Sequence, residues 1–600
     1  MEFPILQEVS KHREMTTVFG GYNHQISCQE AQFYDMKNMT SDYYPVLSPR
    51  KNRGIVKQFT NPQGILDKED IWWIDDKVLY KNGGAITLNG VVFNNEAPKT
   101  IAKMGAYIVI MPDKVWINTN NKNGDYECGY MENKVSISRD VPITFSICDE
   151  YGNIIDYHDA TYYETTEPKD GSYMMSVNSQ GKPSLKVYSK STSIWMTVAS
   201  TYVQIQSEGI GRGFEKEDGV KITINTTNIG GLDNIFINNE DDGTKSINTY
   251  IVDRNYNNIT IPGIISGSIE DVTDIALVVE RKVPEMSYIT ECNNRLWGCS
   301  KDGHEIYCCK LGDVKNWNLF KGSAIDSWAA TIGSDGQFTG AITYLGYPIF
   351  FKEDSLIKIA VSATGGHQTK ETRCRGVQNG SYASLIVLNE VLYYKSSKSV
   401  CGYNGSLPYS ISDELGEVSY NKAVGGAIGN KYYISMCDNN GDYSMFVFDT
   451  KNGLWCKEDN TRAYAFCKYK DDLYYIDAND KKMKSVGGTL LYDVSEKTTE
   501  NKFDWFTESG PIGYSSPDNK YVGNINIRIS LEIGTNVDFF IQYDSSGEWE
   551  HKFNMSGTGT RTYSIPIIPK RCDHFRYKIV GNGACKIHSI TKTIEEGSDG

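Results

Sequence analysis

Nucleophiles, bases, paired carboxylates and metal ligands are the side chains that do chemistry, and here they are numerous but scattered. A glycosidase needs two carboxylates roughly 5–10 Å apart at a pocket. With 75 Asp and Glu among 600 residues, a chance pair exists and carries no information. The 8 His show no metal-ligand spacing; His304 and His574 fall in polar turns. Asp438-Asn-Asn-Gly-Asp-Tyr443 and Asn120-Asn-Lys-Asn-Gly-Asp-Tyr-Glu127 have the flavour of calcium loops, but lack the long loop and closing bidentate Glu, so they are read as hairpin turns. Gly365-Gly-His-Gln368 lacks the Gly-Lys-Ser/Thr that completes a phosphate loop. The 14 Cys include the adjacent Cys308 and Cys309 but no Cys-x-x-Cys, which points to buried free thiols rather than zinc or disulfide chemistry. The expectation is a protein that is not an enzyme, with no catalytic set, no cofactor and no metal.

The elements that carry these residues are repeated. From Ile342 to Ser412 the same pattern occurs twice: a short apolar run, a turn of Gly, Asn or Asp, a β-branched and aromatic run, a polar turn and a third short strand. The hydrophobic residue after each first turn recurs at Ile349, Leu392, Tyr432 and Leu473, in steps of 43, 40 and 41 residues. That is the length of a β-propeller blade. Leu296 marks a further copy 53 residues upstream of Ile349, its extra length assigned to a loop containing Trp317 and Trp328. Weaker copies surround Trp72 and Ile108, making seven candidate blades. The Trp residues at repeat-equivalent positions, Trp72, Trp73, Trp116, Trp297 and Trp455, are expected to fill the gaps between blades. Some propellers are sialidases, and Ser334-Asp-Gly-Gln-Phe-Thr339 resembles their Asp-containing turns; it occurs once and lacks the following Trp, so a structural turn is the reading.

Composition agrees with an all-β chain: 40 Tyr and 55 Gly stand against 17 Pro, and aromatic residues favour pleated surfaces while Gly supplies the positive φ of hairpins. A net charge of −14 excludes a surface built to grip nucleic acid, though not one past which DNA slides. The first residues lack the basic start and apolar run of a signal peptide, and no run approaches the ~20 apolar residues of a membrane helix. Cytosolic folding follows as the expectation.

In chain order, residues 1–60 read as an N-terminal strap across the propeller, in a place to complete its last blade, with Pro45 and Pro49 holding one piece extended. Residues 61–127 and 284–495 read as a β-propeller of about six to seven blades. The gap of 188 residues from Ile108 to Leu296 is too long for one blade and implies an inserted β domain, 128–283, in which Asp271–Arg281 is either its only helical turn or a returning strand. Residues 496–600 alternate cleanly, as in Ile525-Asn-Ile-Arg-Ile-Ser-Leu531, and read as a C-terminal β-sandwich.

Several stretches carry a resemblance: Phe19-Gly-Gly-Tyr-Asn23, Phe33-Tyr-Asp-Met-Lys-Asn38, Tyr44-Pro-Val-Leu-Ser-Pro-Arg-Lys-Asn-Arg53, Gly312-Asp-Val-Lys-Asn-Trp-Asn-Leu-Phe320, Ile349-Phe-Phe-Lys-Glu353 and Gly376-Val-Gln-Asn-Gly-Ser381. The chain resembles tailed-bacteriophage β-propeller proteins of the tail nozzle or packaged-DNA stabilisation kind, over residues 1–120 and 285–495, by pattern rather than by a single motif. The resemblance implies a virion tail protein assembled in the host cytoplasm as a ring-shaped homo-oligomer, a hexamer. Its implied partners are other tail, adaptor or portal-side proteins and tail fibres, viral DNA passing without sequence-specific binding, and the host surface. The alternative is a tail-tip adsorption protein that binds or cleaves host-surface carbohydrate. Interaction candidates are Tyr43, Tyr44, Pro45, Arg50 and Arg53 in the strap, Lys352 and Glu353 at a blade turn, and Trp195, Trp505 and Trp549 outside the repeat.

Overall fold

A small four-stranded sheet buries both faces only if another sheet packs on each, and a ring of such sheets meets that demand without a free end. The computed structural model describes residues 11–120, 126–178, 182–225, 231–361, 366–491, 497–513 and 518–596; residues 121–125 of the Asn120–Glu127 turn and Gly365 of the Gly365–Gln368 turn lie outside them. Seven antiparallel sheets among the described residues form the blades: 62–86, 100–130, 286–331, 340–373, 386–410, 420–457 and 463–485. First strands of successive blades touch around the ring, from Pro62–Lys68 through Thr100–Met104, Met286–Cys292 and Gly340–Tyr344 to Tyr420–Ile428 and Ala463–Tyr469, which returns to Pro62–Lys68. The passage from blade 4 to blade 6 runs through the short helical turn Tyr382–Ser384 and the blade 5 strand Ile386–Leu388.

Each repeat marker lies on the second strand of its blade and is buried. That strand has a neighbour on both edges and a blade on both faces, so its sequence is a continuous apolar run rather than an alternation. The 53-residue step is a loop at 309–327, whose Trp317 packs into the joint core of blades 2 and 3; Trp328, expected in that loop, instead starts the fourth strand of blade 3.

The ring is closed by the chain's own beginning. Gly54–Gln58 pairs antiparallel with Lys482–Ser485 and becomes the fourth strand of blade 7, before Pro62 opens blade 1. Strand alternation then fixes two faces. The turns between second and third strands share the front face with the connections from one blade to the next; the chain leaves blade 7 for its C-terminal part at the back.

The insert is one of those front-face connections, from blade 2 to blade 3. Blade 2 ends with Glu127–Tyr130, and the insert's strands run from Asn133–Ile137 to Leu277–Arg281, which pair with each other. Two five-stranded sheets enclose a core that includes Phe145, Val203, Ile222, Ile259 and Val279. Asp271–Arg281 resolves to strand: it spans the end of Ile269–Val272 and all of Leu277–Arg281, and the one α-helical turn of the insert among the described residues is Tyr162–Thr165.

The insert is seated on the 309–327 loop. The Asn316 amide donates to the Glu217 carbonyl at 2.6 Å, and its side-chain oxygen accepts the Gly219 N–H at 3.2 Å. Lys310 and Lys321 reach the Glu217 carboxylate at 2.6 and 2.7 Å, and Lys315 reaches Glu215 at 2.8 Å. Hydrogen bonds from Lys310 and then Lys321 hold the Glu217 pKa down at about 2. A depressed folded-state pKa stabilises above the unfolded value, near 4.3, and the gain is lost as pH falls through the folded one. We therefore expect the protection of amides at 215–219 and 309–321, relative to their intrinsic exchange rates, to fall between about pH 4 and pH 2, and with added salt, because these pairs are partly exposed and screened.

The C-terminal sandwich borrows two strands from the start of the chain. Lys11–Thr16 pairs with Cys585–Glu596, and Phe33–Lys37 pairs with Asp504–Ser509, as edges of its two five-stranded sheets. The N-terminal segment therefore builds the sandwich as well as closing the propeller. Phe19, Tyr22, Phe33, Met36, Met39 and Leu47 join one core with Trp455 and Phe446 of blade 6 and Trp505, Phe539 and Phe575 of the sandwich.

Candidate functional site

On the front face of blade 4, three segments surround a cleft of about 490 Å³: the connection Gly333–Thr339, the turn Lys352–Ser355, and the outer strand His367–Arg373. The turn is tight because the Lys352 N–H donates to the Ser355 carbonyl at 2.9 Å. Gly376 passes so close beneath it that a Cβ there would lie 1.7 Å from the Lys352 carbonyl oxygen, so only glycine fits.

Lys352 is 3% exposed. Its ammonium donates to the carbonyls of Ser334 at 2.5 Å and Asp335 at 3.4 Å and stands 5.1 Å from the Phe338 ring centre. Burial pushes its pKa down, because the charged form loses hydration. Around it, the Ser355 hydroxyl donates to Glu371 at 2.8 Å, and Glu353 accepts the Asn379 N–H at 2.9 Å. The hydroxyls of Thr339 and Ser334 are buried and have no hydrogen-bond partner among the described residues. One repeat step on, Lys395 holds the equivalent place in blade 5; burial pushes it down to about 8, and it donates to the Ser396 carbonyl.

The other expected interaction residues lie elsewhere. Tyr43, Tyr44 and Pro45 project from the strap loop, with Lys586 3.8 Å over the Tyr43 ring. Tyr44 also lines a second cleft, of about 450 Å³, between the strap and blades 6 and 7. Arg50 and Arg53 are buried in an ionic cluster with Glu458, Asp459 and Glu500, so they present no surface to a partner. Trp505 is also buried: its strand Asp504–Ser509 points Trp505, Thr507 and Ser509 inward, the indole lies over Gly581, and its N–H donates to the Gly583 carbonyl at 2.8 Å. Trp549 is half-buried beside Arg576 and Lys578. Trp195 is half-buried on the insert with Tyr163 and Tyr188, 4.9 and 5.2 Å away. Of the ten residues, Lys352 and Glu353 converge on the blade 4 cleft. Thr339 and Asp335 were legible only as part of the Ser334–Thr339 turn, and Glu371 and Arg373 carried no local signal.

One arrangement has the connectivity of a nucleophile and its base. Ser545 Oγ lies 2.6 Å from His574 Nε2, and His574 Nδ1 lies 2.8 Å from Asp573 Oδ2. Ser545 stands on an exposed turn at φ +50°, where water is not excluded from a developing oxyanion. Its bond to His574, with that of the Asp544 N–H to the His574 carbonyl, ties the turn to the residue just before the strand Phe575–Asn582. Among the described residues, no group of three or more His, Cys, Asp or Glu is placed to hold a metal ion.

No family model matches the chain. No curated protein matches it either. Solved structures with partial similarity include Hsv2 from Kluyvelomyces marxianus, at 10% identity over 51% of this chain and 72% of that one, with a TM-score of 0.22. An exo-β-1,3-galactanase from Phanerochaete chrysosporium matches at 8% identity over 52% and 96%, TM-score 0.21. AztD from Citrobacter koseri matches at 10% identity over 75% and 98%, TM-score 0.21. At these identities and scores no activity is transferred from them.

Proposed function

We propose that this chain is a structural subunit of a bacteriophage tail: one copy in a ring-shaped homo-oligomer that lines or gates the DNA exit channel and joins neighbouring tail parts. The observation that supports this best is the build of the chain. A closed propeller carries one β-sandwich as a front-face connection and a second one packed against blade 6, and the N-terminal strap ties propeller and C-terminal sandwich into one body. Such a body can contact a different neighbour at each end while staying rigid between them. In this reading the chain does no covalent chemistry. Its net charge of −14 suits a wall that repels the phosphate backbone and lets DNA pass without sticking.

Electron microscopy of the purified protein and of purified tails tests the proposal. The expected result is rings of six copies in solution and the same ring within the tail. A protein that stays monomeric and is absent from tail particles would defeat it.

A further inference from the structure

We propose that the blade 4 cleft is a binding site for a neutral, hydroxyl-rich ligand, a hexose unit of a glycan. The inference rests on the cleft alone and holds whatever assembly the chain joins.

The floor of the cleft is incomplete as it stands. Thr339, one of the lining residues, is 2% exposed, and its hydroxyl has no partner among the described residues; the hydroxyl of Ser334, another lining residue, has none among them either. Buried hydroxyls in folded proteins are almost always paired, because an unpaired one keeps the full cost of its desolvation. Lys352 lines the same floor with three ammonium donors, two of them engaged by carbonyls, and among the described residues no carboxylate lies within ion-pair distance of it. These groups are set for a ligand that can both donate and accept.

The walls narrow the class. Every side chain lining the cleft is polar or charged, so an apolar ligand gains nothing there. Four carboxylates, Asp335, Glu353, Asp354 and Glu371, outnumber Lys352 and Arg373, and the negative excess disfavours phosphate, sulfate or an acidic sugar. The carboxylates are not clustered to hold a metal ion. A polyamine would meet Lys352 and Arg373 and, being donor only, leave the O–H of both hydroxyls without an acceptor. A sugar hydroxyl donates to a carboxylate and accepts from an ammonium or a hydroxyl at once, which matches both the acceptor surplus and the unpaired floor. The volume of about 490 Å³ falls within the range of small-molecule sites, roughly 300–1,000 Å³.

Isothermal titration calorimetry on the full chain tests this, with glucose, galactose, mannose and N-acetylglucosamine as probes and inorganic phosphate and spermidine as comparators. At least one of the four sugars is expected to bind saturably and more tightly than either comparator. Thr339→Val keeps the shape of the side chain and removes the hydroxyl; it should weaken that sugar by about tenfold while leaving the melting temperature unchanged or raised, because an unpaired buried hydroxyl contributes nothing to the fold. Glu371→Gln should weaken it by about three- to tenfold. No saturable binding by any of the four sugars, tighter binding of phosphate or spermidine, or sugar binding indifferent to both substitutions would overturn the proposal. A lowered melting temperature for Thr339→Val would also count against it, by assigning the hydroxyl to the fold.

Discussion

Replacing Arg53 with Met is expected to lower the unfolding free energy by about 3–5 kcal/mol, the usual cost of removing one partner from a buried ion pair. The Arg53 side chain is 3% exposed; one guanidinium nitrogen donates to Glu458 at 2.6 Å, and the other lies 3.1 Å from Asp459 and also donates to Thr461 and the Tyr475 hydroxyl. Burial alone would push the Asp459 pKa up, yet Arg53 and then Arg50 hold it below the usual carboxylate value. Met fills similar volume but leaves Glu458 buried without its cation, and Asp459 with Arg50 only at 3.5 Å. Arg53 also immediately precedes the strand that closes blade 7, so the loss is expected to appear first as faster amide exchange across Gly54–Gln58 and Lys482–Ser485. Urea unfolding of Arg53→Met, Glu458→Gln and the double variant checks the argument. Because Gln removes the stranded charge, the double variant should recover part of the loss, and a strictly additive result would show that the two side chains do not act as a pair.

Deleting residues 1–58 is expected to abolish cooperative folding of the propeller and the C-terminal sandwich together. The deletion removes the fourth strand of blade 7, one edge strand from each sheet of the sandwich, and Phe19, Tyr22, Phe33, Met36, Met39 and Leu47 from the shared core. At about 1.5–3 kcal/mol for each fully buried large apolar side chain, the burial term alone is on the order of 10 kcal/mol. That is comparable to the whole stability of a typical domain, about 5–15 kcal/mol. It also leaves unpaired strand edges, which favour aggregation. Circular dichroism and size exclusion of the truncated chain provide the readout; a monodisperse product with a single sharp melt near that of the full chain would show that the strap is dispensable. The insert should be spared, since its core draws on no residue before Val135.

The repeat was legible because a blade is a local object: its strands follow one another, and its second strand is buried on both faces, so Ile349, Leu392, Tyr432 and Leu473 stand out in a single pass. The insert showed as an interruption of the period. Lys352 and Glu353 were legible as a turn in a regular blade, but their companions Thr339, Glu371 and Arg373 reach the cleft from a connection and an outer strand whose letters look like those of any other.

By itself, then, the sequence determined the all-β class, the blade period and the places where the period is broken, because each of these is written in contacts between residues close along the chain. Tertiary structure decided the rest. That Lys11–Thr16 pairs with Cys585–Glu596, that Gly54–Gln58 closes blade 7, and that Arg50, Arg53 and Trp505 turn inward all depend on which distant segment supplies the last hydrogen bonds and the last buried surface. Strand alternation assigns side chains to two faces, and only the element packed against each face decides which is buried.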